Sequence, residues 1–266
     1  YPLGGISNKK TILCNERGDY VSYQSDKYGF NNSNSAYYHK GHDIALVGDS
    51  TTEGYCVSAD ENISSNLKKK GYKVLNFGKG GGNGPLIELA VIKEYVSEFK
   101  PKTVFWLYSE YNDLNDLFIE KNSSIHKSYL NSNYRQNLIG RQKEIDNVLN
   151  KKVKNFLLNQ KSQENEKAIP LIKNIELFLK FHRTRYVIRW YFNRPKYSIL
   201  HFDPPGQMFS DIILDAKNTV KSWGGKLIFV YVPDFTRLKN KKMSVKYFYK
   251  DKVVDIIRQH KIYMID

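Results

Sequence analysis

The feature that most constrains this chain is a series of short apolar runs separated by stretches with helical periodicity. Ile44-Ala45-Leu46-Val47, Lys73-Val74-Leu75-Asn76-Phe77, Thr103-Val104-Phe105-Trp106-Leu107-Tyr108 and the run "KLIFVYVP" from Lys226 all lack the polar alternation of a half-exposed strand. Continuous apolar strands of this kind are covered on both faces, and helices between them deliver parallel rather than antiparallel neighbours. The helical stretches carry their own punctuation. Ser58-Ala59-Asp60-Glu61 reads as a capping box opening a helix with Ile63 and Leu67, which stops near Gly71. Pro85 opens a second helix, apolar at Leu86, Leu89, Ala90, Val96 and Phe99, and Pro101 ends it. "FSDIILDAKNTVKSWGG" is a third, closed by Gly224-Gly225, and a fourth at 244–260 leads into "KIYMID", the start of a fifth strand.

The expected fold class is α/β: a three-layer α/β/α arrangement on a flavodoxin-like parallel sheet of about five strands. The rhythm breaks after Asn115, and a basic, mostly helical insertion is expected between strands 3 and 4. The expected organisation is an N-terminal entry segment at 1–42, an α/β domain at 43–119 and 201–266, and the insertion at 120–200. The stretch "RTRYVIRWYFNRP" (183–195) reads as a helix packing its aromatic face.

Charge is concentrated in the insertion. Residues 121–200 hold 17 Lys and Arg against 5 Asp and Glu, or +12 of a net charge of +15. A solvated helical face is the plain reading, and contact with a membrane surface or an acidic glycan is the functional one. No nucleic-acid signature is present, so no nucleic-acid partner is expected. No apolar run approaches the ~18 residues that span a bilayer, which predicts a soluble segment. The sequence opens at Tyr1 with nothing resembling a signal peptide, and a leader or anchor removed ahead of it is one expectation. Between compartments, a bacterial periplasmic or membrane-associated place is favoured over the cytoplasm. Cys14 and Cys56 are too few for a disulfide scaffold or a zinc site; two unrelated buried thiols are preferred to a bridge between them.

Three motifs fall at the C-terminal ends of successive strands: Gly48-Asp49-Ser50, Asn76-Phe77-Gly78-Lys79-Gly80-Gly81, and Tyr111-Asn112-Asp113. In a doubly wound sheet such ends converge on one crevice. A hydroxyl, a glycine-rich backbone turn and a carboxamide are the parts needed to attack an ester and hold its oxyanion. The glycine cluster lacks the GxxxxGK[ST] order of a phosphate loop and fits the dinucleotide GxGxxG order poorly. No His, Asp or Glu cluster has ligand spacing, so neither a metal nor a cofactor is expected.

These blocks resemble the SGNH/GDSL hydrolase family. "GDSTTEG" matches its serine block, "NFGKGG" its glycine block and "EYNDL" its asparagine block, with Tyr111 where the family usually has glycine. "SDKYGFNN" at 25–32 also looks like an entry segment of bacterial members. The resemblance covers about 25–115 and 207–266 and leaves out the basic insertion. It implies Ser50 as nucleophile, Gly81 as backbone oxyanion donor with Gly78 the alternative, and Asn112 as side-chain donor. It implies a carbohydrate O-acyl esterase or acyltransferase acting on a small-molecule or glycan ester.

The family's base is a histidine in a DxxH block after the fifth strand. None of the six histidines, His39, His42, His126, His182, His201 and His260, stands in that context. The expectation is a fragment lacking its catalytic Asp and His, inactive as it stands. The competing readings are a non-catalytic SGNH-like domain that binds glycan or a partner, and an interaction protein working through the insertion.

Overall fold

The computed structural model describes residues 1–14, 20–166, 204–235 and 249–266. The chain divides into two compact units, Tyr1–Asp146 with Phe202–Asp266, and Asn147–His201. In the first, an antiparallel hairpin of β1 (Lys10–Cys14) and β2 (Val21–Gln24) precedes the main sheet. That sheet holds β3 (Ile44–Gly48), β4 (Val74–Asn76), β5 (Thr103–Ser109), β6 (Lys226–Val232) and β7 (Tyr263–Ile265). Its order is β4-β3-β5-β6-β7 and every pairing is parallel. Helices flank it, giving the expected three-layer α/β/α fold. The order reverses at β3, which creates a crevice at the carboxyl ends of β3, β4 and β5.

The helices are α1 (Ser50–Glu53), α2 (Ile63–Lys69), α3 (Pro85–Val91), α4 (Ser97–Phe99), α5 (Asp113–Glu120), α6 (Ser124–Ser128), α7 (Gln142–Glu166), α8 (Gln207–Ser222) and α9 (Lys250–Gln259). A π-helical turn, Ile92–Val96, joins α3 to α4, and Lys100 with φ 46° ends the run ahead of Pro101. The capping box expected at Ser58–Glu61 does not open α2. Asn62, in extended backbone, takes that place: its Oδ1 accepts the Ser65 N–H at 2.8 Å and its amide donates to Ala59 O. Among the described residues no helix is long and apolar enough to cross a membrane.

The core lies between the sheet and the α3/α8 layer. Trp106 and Tyr108 of β5, and Phe229 and Tyr231 of β6, are buried with Leu86 and Leu89 of α3 and Phe209, Ile212 and Ile213 of α8. β3 is buried along its whole length, as an unalternating apolar run requires. β6 departs from that expectation: Leu227, Phe229 and Tyr231 are buried while Ile228, Val230 and Val232 are half-buried. The sheet is better covered on one face there than on the other.

Of the second unit, only the part of α7 from Asn147 onward is described. It is helical, as expected of the insertion, whereas the 183–195 stretch lies outside the described residues. The preference for two unrelated thiols is corrected: Cys14 and Cys56 form a disulfide with Cα atoms 5.5 Å apart. The fold brings β1 beside the loop after α1, so proximity decides what spacing in the sequence left open.

Candidate active site

β3 ends in a turn that only glycine fits. A Cβ at Gly48 would stand 2.2 Å from Thr52 Oγ1 and 2.8 Å from Leu107 O. Asp49 then caps α1, its carboxylate accepting the Thr51 N–H at 2.8 Å. Ser50 is the first residue of α1 and is half-buried. Neither its hydroxyl nor its backbone N–H has a hydrogen-bond partner among the described residues.

The glycine loop is laid over that helix by side chains at both ends. Asn76, at the end of β4, donates to Thr52 O at 2.7 Å and accepts the Gly78 N–H at 2.8 Å. Asn76 is itself held from outside by Asn32, whose amide donates to Asn76 O while its Oδ1 accepts Asn76 N–H, both at 2.8 Å. Farther along, Gly80 donates to Glu53 Oε2 at 2.7 Å. Glu53 Oε1 accepts the Tyr23 hydroxyl at 2.7 Å and pairs with Lys79. A Cβ on Gly80 would lie 3.1 Å from Ser50 Cβ, so the backbone of this loop passes directly against the serine.

The two glycines named from sequence separate here. The Gly78 N–H is already given to Asn76, which removes it as an oxyanion donor. Gly81 is exposed with φ +109°, and its N–H has no acceptor among the described residues.

The third loop follows β5. Tyr111 is exposed, and Asn112 precedes α5. The Asn112 amide donates to Asp116 Oδ2 at 2.7 Å and lies near enough to the Asp49 carboxylate to work against the rise that burial gives its pKa. Two of the three loops meet directly, Gly80 beside Gly81 lying against Ser50, and the third places Asn112 near Asp49, the residue before Ser50.

Beneath this edge lies a set of buried acids, two of them, Asp49 and Asp113, within the sequence motifs. Asp49, Glu88, Asp113 and Glu120 are each less than 5% exposed. Burial raises the Asp49 and Asp116 carboxyls above the ordinary range. Burial, with the Asp49 charge adding to it, raises Asp113 well above it, against the hydrogen bond from Ser109 N–H. Burial followed by Asp113's charge does the same to Glu88, which accepts the Trp106 indole N–H. Glu120 accepts the N–H groups of Gly84 and Leu86 at the start of α3, yet burial pushes its pKa up to about 7. Glu53 sits inside the quoted "GDSTTEG" block; a lone acid one turn past the serine among small residues was the available signal. Asp113 was within the third block, but its burial is visible only in three dimensions.

The histidines stand elsewhere. His42 bonds Ala36 O at 3.0 Å, and His39 is exposed. The His126 ring is buried without a hydrogen-bond partner among the described residues. His260 caps the C-terminus of α9 ahead of β7, at the opposite sheet edge, and bonds Ser210 Oγ at 2.8 Å. His182 and His201 lie outside the described residues. Among the described residues no group of three His, Cys, Asp or Glu could hold a metal ion.

No family model and no curated protein sequence matches this chain. Solved structures do overlay on it. "Crystal structure of AlinE4, a SGNH-hydrolase family esterase" is 13% identical with TM-score 0.38, covering 85% of this chain and 76% of that one. "Crystal Structure of TesA" is 10% identical with TM-score 0.40, covering 84% and 76%. LAE5, described as an alpha/beta hydrolase enzyme from the metagenome of Lake Arreo, Spain, is 12% identical with TM-score 0.39, covering 87% and 79%.

Proposed function

We propose that this chain is a serine-dependent ester hydrolase or acyltransferase acting on O-acyl groups of a carbohydrate. The observation that carries the reading is the seating of the Gly80 backbone against Ser50, which follows the tight turn at Gly48. Ser50 Oγ attacks the acyl carbonyl and gives up its proton to a base. The tetrahedral oxyanion is held by the backbone N–H groups of Ser50 and Gly81 and by the Asn112 amide. Collapse expels the sugar hydroxyl, which takes a proton, and leaves Ser50 acylated; water or an acceptor hydroxyl then removes the acyl group. The carbohydrate acceptor follows the family resemblance of the three blocks.

A serine hydroxyl is a weak nucleophile without a base. No histidine or carboxylate among the described residues bonds to Ser50 Oγ, so the proposed proton acceptor lies outside them. That same observation favours the second reading, a non-catalytic domain of this fold that binds glycan. A fluorophosphonate probe and a chromogenic acetyl ester separate the two. The hydrolase reading expects covalent labelling mapped to Ser50 and ester turnover, both lost in Ser50→Ala. Equal turnover in wild type and Ser50→Ala, or no labelling of Ser50, overturns it.

A further inference from the structure

A second cleft, about 570 Å³ in volume, opens between the N-terminal hairpin and α2, and none of Ser50, Gly81 and Asn112 lines it. Its volume falls within the ~300–1,000 Å³ of small-molecule sites. Serine hydroxyls and carboxamides of β2, the 31–34 turn and α2 are set into its wall. Lys68 is its one charged lining residue among those described.

Many of these polar groups are already spent within the protein, as with Asn32 on Asn76 and Asn62 on Ser65. Others are not. The Ser22 hydroxyl, the Gln24 carboxamide and the Lys68 ammonium have no hydrogen-bond partner among the described residues, and neither does the buried hydroxyl of Ser64. Asn31 donates to Glu53 O, which leaves its carbonyl oxygen without a partner. Of these the Ser64 hydroxyl is the buried one, and a buried group without a partner calls for one; the others stand beside it able to donate and accept.

Lys68 adds a sign to that demand. Its burial lowers its pKa, which means the ammonium lacks full compensation. The acid it senses is Asp26, but Asp26 is already committed to Tyr37, Asn32 and the backbone N–H groups of Tyr28 and Phe30. A ligand carboxylate would supply what the protein does not.

We propose that this cleft binds an acidic sugar, its carboxylate paired with Lys68 and its hydroxyls with Ser22, Gln24 and Asn31. The site needs no ester chemistry, so it stands or falls apart from the role given to Ser50. Tyr23 forms part of its wall and reaches Glu53, which holds the Gly80 loop. A polymer bearing such sugars would therefore meet the cleft and the serine edge on neighbouring elements.

The test is a titration of the full chain at fixed ionic strength with glucuronate, glucose and acetate, followed by amide chemical shifts and calorimetry. Saturable glucuronate binding is expected, with shifts confined to Ser22–Gln24, the 31–34 turn and Ser64–Lys68. Glucose and acetate are each expected to bind at least about tenfold more weakly. Lys68→Gln should weaken glucuronate by about tenfold or more, and Gln24→Ala by several-fold with an unchanged melting temperature. Gln24 is exposed on its strand, so that variant carries the test even if Lys68→Gln does not fold. Absence of saturation, acetate binding as tightly as glucuronate, or unchanged affinity in Gln24→Ala overturns the proposal.

Discussion

Glu53 accepts the Gly80 amide on one carboxylate oxygen and the Tyr23 hydroxyl on the other, so a single side chain binds the glycine loop to the helix that presents Ser50. Glu53 is 3% exposed and also pairs with Lys79. Removing one partner from a buried pair leaves the others unsatisfied and costs about 3–5 kcal/mol. Glu53→Ala is expected to lower stability by about that amount in urea unfolding. Labelling of Ser50 should fall with it, because the loop loses its tether. Glu53→Gln should land between, since it keeps the shape but turns an amide NH2 toward donors.

Gly78 and Gly81 should lose stability to different extents on substitution by alanine. A Cβ at Gly78 would sit 2.4 Å from Glu53 N and 2.5 Å from the Thr52 carbonyl carbon, and backbone cannot step aside cheaply. Gly78→Ala is expected to cost about 3 kcal/mol, the upper end of overpacking. Gly81 has no atom within 4 Å of such a Cβ, only an unfavourable φ of +109°. Gly81→Ala should cost about 1–2 kcal/mol. Equal losses from the two would mean that the loop does not lie on α1 as described.

Asn112 is steered by the Asp116 carboxylate rather than free. Asn112→Ala removes the proposed side-chain donor and should raise the barrier to ester turnover by about 2.7–4 kcal/mol. Asp116→Ala leaves the amide in place but unsteered. It is expected to lower kcat by about tenfold, or about 1.4 kcal/mol, with KM little changed. A drop in KM-limited binding with unchanged kcat would remove Asn112 from the oxyanion site.

The buried acids predict how stability follows pH. Glu120 has its folded pKa raised from 4.5 to about 7, so the folded state holds its proton more tightly than the unfolded chain does. The associated stability is fully present below the unfolded value and is lost as pH climbs through the folded one. That loss amounts to about 3 kcal/mol across the window from 4.5 to 7. Asp49, Asp113, Asp116 and Glu88 are shifted in the same direction. Thermal unfolding midpoints should therefore fall between pH 5 and pH 7.5, and Glu120→Gln should flatten that slope while lowering the midpoint at pH 5. A midpoint that rises over this range contradicts the burial of these groups.

What the sequence made legible is what burial on both faces forces on a chain. β3 and β5 must be apolar throughout because they sit in the middle of a parallel sheet, and Ser50 is conspicuous because it ends such a run. The β1–β2 hairpin left no such trace: it is short and mixed in polarity, Ile12 on it is 59% exposed, and the Cys14–Cys56 bridge anchors it to the chain beyond α1. The start of α2 was misplaced because a capping box is a local preference, and Asn62 lies nearer the residues that pack. Glu88 and Asp113 could not be read at all, since an acid in a sequence signals surface until its neighbours are known. Nor could spacing decide which of several consecutive glycines abuts Ser50. That needed the position of Glu53.

The reciprocal pairing of Asn32 with Asn76 has a meaning beyond the loop it steadies. β4 is an outermost strand, and a bare strand border is a template on which another chain can build. The Asn32 carboxamide imitates the next rung of the ladder, giving one donor and one acceptor to the border residue and ending the sequence of rungs there. A copy stripped of its first forty residues would bare that border, and is expected to self-associate at concentrations where the intact chain does not.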